Sequence, residues 1–192
     1  MKVFKLIGLG GKAGSGKSSV GAYLCARYGA RAYAFADELK ELVRGAFRFS
    51  EDQMEGFTKE YPDTRFGASP RWCLQRMGDV CREIWPDIWI WHLRRKIMDF
   101  LSCYGAQPLV VTDVRFVNEA EALRRLGAVL IRLERPGLAG AVGGQPGHAS
   151  ETSLDGWTGW DHVVINDQGL AELFARVDGV LGGHTGPLLS TL

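Results

Sequence analysis

The run Gly11-Lys12-Ala13-Gly14-Ser15-Gly16-Lys17-Ser18 constrains this chain more than any other stretch. It meets G-x-x-x-x-G-K-[ST] at every fixed position, a pattern that works only between a buried strand and the start of a helix. Both flanks have that character. Residues 3–9 are short, apolar and partly β-branched, as a buried strand is. After the loop, Val20, Leu24 and the Arg27/Tyr28 pair recur at helical spacing, and Gly29 offers a stop. Glycines here let backbone N–H groups approach a triphosphate with no Cβ in the way. The following helix aims its positive dipole end at the same phosphates. These eight residues, with Ser19, are the expected ATP-binding segment. Lys17 is expected to reach the β- and γ-phosphates, and the Ser18 hydroxyl to ligate Mg2+.

A length of 192 residues suits one domain, expected over residues 1–184 with a flexible tail at 185–192. The balance of 23 Lys+Arg against 22 Asp+Glu supplies no overall drive toward nucleic acid or a membrane surface. No apolar run is long enough to span a bilayer, and the first residues read as strand rather than signal peptide. Cys25, Cys73, Cys81 and Cys103 make no C-x-x-C pair and fall in apolar helical surroundings. They read as free core thiols in a reducing compartment, so a cytoplasmic protein is expected.

Residues 30–36 alternate as a second strand, expected beside the one carrying the loop, and end at Asp37. Asp37 is placed either as a helix N-cap or at the ligand-binding carboxyl end of the sheet, and both can hold. Residues 49–69 show no clear period and read as a loop or broken helix. Pro70 opens a helix to about residue 84, with Leu74, Met77, Cys81 and Ile84 on one apolar face. Arg71, Gln75, Gly78 and Arg82 share a neighbouring stripe. That stripe is either a grip for a phosphate and a base edge or a solvated face; sparse i,i+4 partners favour the grip. The tryptophans near residue 89 read as core, with one able to stack on a base, and His92 as structural or exposed.

Residues 109–112 form a buried strand ending in Asp113, which resembles a Walker-B carboxylate. Arg115 has no evident structural partner, and Asn118 is the expected cap of the next helix. Residues 128–133 and 161–166 are two further strands, and a helix from Leu170 closes the fold. Residues 137–160, rich in glycine, suit either a lid over the site or a surface loop. Five strands alternating with helices imply an α/β fold: a parallel sheet with helices on both faces. The long stretch at 38–106 is expected to form a helical substrate-binding lobe.

The chain resembles a bacteriophage deoxynucleoside monophosphate kinase of the P-loop nucleoside monophosphate kinase superfamily. The resemblance covers about residues 3–181. It is carried by the P-loop, Ala36-Asp37-Glu38-Leu39-Lys40, the helix from Arg71 to Arg82, Asp113-Val114-Arg115-Phe116-Val117-Asn118-Glu119, His148-Ala149-Ser150-Glu151 and Ile165-Asn166-Asp167. It implies transfer of the ATP γ-phosphoryl group, with Mg2+, to a deoxynucleoside 5′-monophosphate. By that resemblance Lys17 and the loop amides hold the donor, and Ser18 and Asp113 serve the metal. Asp37, Lys40, Arg71, Gln75 and Arg82, with Trp89, Asp113, Arg115 and Glu151, line the acceptor side. Lys17, Asp37 and Arg115 are the catalytic candidates, with Arg132 or Arg135 as further sources of charge. The implied partner is a small nucleotide; a homodimer stays open.

Two rivals differ in acceptor. A kinase resembling dephospho-CoA kinase would use Asp37 as base toward a hydroxyl. A P-loop ATPase acting on a macromolecule would hydrolyse ATP without any small acceptor.

Overall fold

The computed structural model describes residues 5–138 and 147–182. The elements run β1 (Leu6–Gly10), α1 (Lys17–Tyr28), β2 (Arg31–Tyr33), α2 (Asp37–Phe47), α3 (Glu51–Glu55) and a 3-10 turn (Phe57–Glu60). They continue with α4 (Pro70–Ile84), α5 (Ile88–Tyr104), β3 (Leu109–Val114), α6 (Val117–Arg125) and β4 (Val129–Glu134). Last come α7 (Ala149–Thr152), β5 (His162–Ile165) and α8 (Leu170–Leu181). The five strands form one sheet in the order β2-β3-β1-β4-β5, every pairing parallel. β2 therefore pairs with β3 rather than with the P-loop strand. Periodicity reveals that a strand exists, but its neighbours are chosen by the crossover, here one containing the whole helical insertion.

Burial on both faces of the sheet explains the near-continuous apolar strands. Ile7, Leu9, Val110 and Ile131 pack with Val20 and Leu24 of α1 and Leu173 and Val177 of α8. Leu6, Leu109, Val111 and Leu130 pack on the opposite face against α2, α4, α5 and α6. The insertion shares that second core through Leu39, Val43, Met54, Cys73, Trp89, Leu93 and Ile97. Among the described residues no helix is long and apolar enough to cross a membrane.

Several local expectations are corrected. Asp37 is the first residue of α2, not its cap: its Oδ2 accepts the Ala34 N–H at 3.0 Å. Asn118 is not a cap either; its amide donates to Pro86 O and Asp87 Oδ1. Glu119 does the capping, accepting the N–H groups of Arg115 and Phe116 at 2.9 and 3.1 Å. Residues 49–69 carry α3, fixed by a reciprocal Ser50–Gln53 capping box, and the 3-10 turn. Ile84 is 79% exposed, because the last turn of α4 runs past the surface its apolar face covers. Trp89 is core at 3%, whereas Trp72, Trp85 and Trp91 are exposed, and so is Cys103. Part of the expected lid and the expected tail lie outside the described residues.

Candidate active site

The P-loop leaves β1 through Gly11, whose φ of +135° only glycine adopts without strain. A Cβ there would also lie 2.3 Å from Leu133 O. The loop closes with Ser15 N–H donating to Lys12 O at 3.2 Å, and α1 begins directly at Lys17 after Gly16 at φ +110°. Asn166, at the end of β5, buttresses the loop from behind: its Nδ2 donates to Ser15 O at 3.1 Å. Lys17 is buried, and its Nζ donates to Gly11 O at 2.5 Å and Lys12 O at 2.7 Å. Burial, then repulsion from Arg115, lowers its pKa to about 8.

The loop opens onto a cavity of about 500 Å³. Ala13, Gly14, Gly16, Lys17, Ser18 and Ser19 line one part of it. Lys40 of α2, Lys59 of the 3-10 turn and Arg71, Gln75 and Arg82 of α4 line another, with Trp89 behind them. Asp113 and Arg115, from the end of β3, also line it. The α4 stripe thus faces this cavity and not bulk solvent, because α4 packs its buried residues Cys73 and Leu74 onto the sheet-face core.

Most of these cations are held by a carboxylate. Lys40 Nζ lies 2.7 Å from Glu55, Arg71 Nη2 2.5 Å from Glu60, and Arg115 Nη1 2.5 Å from Glu151. Arg82 lies 3.6 Å from Glu119 and also places its guanidinium 3.9 Å over the Phe116 ring. Lys59 has no carboxylate within ion-pair distance among the described residues. Its burial, and the neighbouring Lys40 and Arg71, bring it down to about 8. Burial and the nearby Asp113 raise Glu119 to about 7.

Asp113 combines two tasks that sequence separates poorly. Its carboxylate accepts the Phe35 and Ala36 N–H groups, which fixes the turn between β2 and α2. Burial raises its pKa, against the pull of Arg115. Among the described residues no cluster of three or more His, Cys, Asp or Glu forms a metal cage. Ser18 and Asp113 both line the cavity, and a hydroxyl with a carboxylate suits Mg2+, which keeps several waters and takes phosphate oxygens with one or two protein groups.

Asp37 does not line this cavity; its Oδ2 lies 3.9 Å from Lys96, which itself pairs with Glu38 at 2.8 Å. Gly11, Lys12, Ser15 and Glu151 line a smaller cavity of about 250 Å³, shared with Arg132 and Trp160. Arg115 and Arg135 border both spaces. Lys59, Glu119, His148 and Asn166 were missed as cavity-lining residues. Glu119, His148 and Asn166 sit inside stretches that the resemblance singles out; Lys59 carries no sequence signal.

A family model described as deoxynucleotide monophosphate kinase matches residues 68–177. A protein of Acanthamoeba polyphaga mimivirus, provisionally assigned as a deoxynucleotide monophosphate kinase, is 36% identical over 184 residues, 90% of this chain and 93% of that protein. An uncharacterized protein of Ictalurid herpesvirus 1 is 32% identical over 106 residues, 54% of this chain and 44% of that one. Neither relative is a bacteriophage protein. A sugar kinase from Janibacter sp. HTCC2649, in an unliganded crystal structure, superposes with a TM-score of 0.52 at 17% identity. It covers 93% of this chain and 95% of that one, a likeness of fold alone.

Proposed function

Because the chain belongs to the deoxynucleotide monophosphate kinase family, we propose that it transfers the γ-phosphoryl group of ATP to a deoxynucleoside 5′-monophosphate. One observation supports this above the others. The P-loop residues Lys17 and Ser18 share a single cavity with four cations, Lys40, Lys59, Arg71 and Arg82, contributed by the helical insertion. Two separate anions, a triphosphate and a monophosphate, account for charge at both ends of one space.

In this reading an oxygen of the acceptor phosphate attacks Pγ while the bond from Pγ to the β-bridging oxygen breaks. The products are ADP and the deoxynucleoside diphosphate. Lys17 and the loop amides hold the donor phosphates; Arg115 stands between loop and acceptor, where negative charge builds on the transferring group. Arg135, exposed, borders both cavities and is a further source of positive charge for the donor. Lys40, Lys59, Arg71 and Arg82 orient the acceptor phosphate, and Gln75 lines the same cavity. Ser18 and Asp113 would hold Mg2+, which would supply positive charge to the phosphates during transfer. Each clamped cation exchanges a carboxylate for a phosphate, so the site is organised in advance rather than assembled by substrate.

An acceptor phosphate is already ionised at neutral pH and needs no general base. This agrees with the placement of Asp37 outside the cavity and disfavours a hydroxyl acceptor of the dephospho-CoA type.

The test is ADP release from Mg-ATP with a panel of deoxynucleoside and ribonucleoside monophosphates and dephospho-CoA, with the product identified. Turnover that requires a deoxynucleoside monophosphate is the expected result. ATP hydrolysis indifferent to every acceptor would sink the proposal.

A further inference from the structure

The Glu151 carboxylate spans two donors that a phosphate oxygen would need. Its Oε2 accepts the P-loop N–H of Ala13 at 3.4 Å, and its Oε1 holds the Arg115 guanidinium at 2.5 Å. The side chain is largely buried, at 14% exposed, so the pairing with Arg115 is not a solvated surface contact.

The segment that carries Glu151 is fastened at both ends. On the loop side, Asp155 pairs with Lys12 at 3.3 Å. On the other side, buried His148 reaches Asp79 of α4, Nε2 to Oδ2 at 3.0 Å. The tautomer follows from the ring's other contact. Nδ1 accepts the Ser150 N–H at 3.1 Å and lies 2.9 Å from the Ser150 hydroxyl, which leaves Nε2 to donate to Asp79. Asp79 lies on the same helix as Arg71, Gln75 and Arg82. One bonded path therefore runs from the acceptor wall to the P-loop: α4, Asp79, His148, Glu151, then Arg115 and Ala13.

We propose that Glu151 is a positioning residue that stands in for a phosphate oxygen, holding Arg115 and the Ala13 amide until a triphosphate displaces it. The His148–Asp79 bond ties that displacement to the acceptor helix. This rests on the kinase reading for its purpose, which is to hold Arg115 away from Pγ until the triphosphate takes the place of Glu151, an exchange that the acceptor helix biases through Asp79. A triphosphate carries more charge than a carboxylate and wins the exchange, but it does so against a competitor built into the chain, and its apparent affinity is lowered accordingly.

The experiment measures binding of β,γ-imido-ATP with Mg2+ by calorimetry, in the absence and presence of a deoxynucleoside monophosphate. It compares the wild type with Glu151→Gln, which keeps the shape and removes the charge. A second variant, Glu151→Asp, keeps the charge but is too short to span both donors. Both variants should bind the analogue about three- to tenfold more tightly without acceptor, a gain of up to about 1.4 kcal/mol. Both should also release ADP from ATP faster when no acceptor is supplied. His148→Gln should shrink the difference in affinity that acceptor makes in the wild type. Unchanged or weaker analogue binding in both Glu151 variants would overturn the proposal and leave Glu151 as a fastener or a direct substrate ligand. Failure of the kinase reading shows elsewhere, as wild-type enzyme that binds the analogue yet turns over no deoxynucleoside monophosphate.

Discussion

Asp113 accepts the Phe35 backbone N–H at 2.7 Å, and this bond ties the end of β3 to the turn that launches α2. The carboxylate proposed to serve the metal thus also fixes where Lys40 enters the cavity. Asp113→Asn should damage both functions, since an amide turned toward two N–H donors leaves one of them unpaired. The expected cost is about 1–3 kcal/mol of stability, with turnover falling further than stability alone explains. Thermal melts and Mg2+ titrations of initial rate separate the two. Full activity at raised Mg2+ would confine Asp113 to metal affinity.

Lys17 provides a proton-linkage test. Its folded value of about 8 lies below the ordinary 10.5, so between these limits the unfolded chain retains a proton that the native one has released. Its contribution to stability therefore rises with pH across that window. A bound triphosphate returns counter-charge to the ammonium and pulls the proton back. ATP binding at pH 8.5 should take up protons, and much less so at pH 7. Calorimetry in two buffers of different ionisation enthalpy reads this directly, and Lys17→Met should abolish both the uptake and the transfer. Identical heats in the two buffers would show that Lys17 is fully charged before ATP arrives.

Lys59 and Arg82 differ in what else they hold. Lys59→Met removes a cation with no ion pair of its own among the described residues, so the acceptor KM should rise about 10- to 100-fold with the ATP KM unchanged. Arg82→Met also strips buried Glu119 of its counter-ion and Phe116 of its stacked guanidinium. A stability loss of about 1–3 kcal/mol should accompany the kinetic one. Steady-state kinetics against both substrates, with melts, checks the contrast; an altered ATP KM in Lys59→Met would move that lysine to the donor side.

Gly10 meets Trp160 across the sheet. An added Cβ would sit 2.1 Å from the indole Cη2, so Gly10→Ala should cost about 1–3 kcal/mol by overpacking. Trp160→Leu should recover much of that in the double variant. Additive losses in a double-mutant cycle would mean the strain falls on backbone instead.

The elements that were legible in sequence share a local cause. The P-loop, the span of α4 and the apolar β3 are each dictated by residues within one turn or one strand of each other. So was the Ser50-x-x-Gln53 box, passed over because a five-residue helix gives no period. Strand order was not legible, since it depends on how the insertion between β2 and β3 folds back. Nor was the need for glycine at position 10, which is imposed by a tryptophan 150 residues later. Asp37 illustrates the same limit at the site. Its position in a quoted motif suggests contact with substrate, yet its rotamer is set by Ala34 and by Lys96 of α5, a partner no local pattern announces.

The placement of β3 between β2 and β1 has a consequence for how such an enzyme can diversify. The helices proposed to face the monophosphate lie between β2 and β3, on one flank of the sheet, and the segment carrying Glu151 lies on the other, between β4 and β5. The two sides nevertheless meet, through the His148–Asp79 bond and through Leu154 in the core that the insertion shares. A substitution on the acceptor side is therefore felt at the P-loop unless the Asp79–His148 joint is kept.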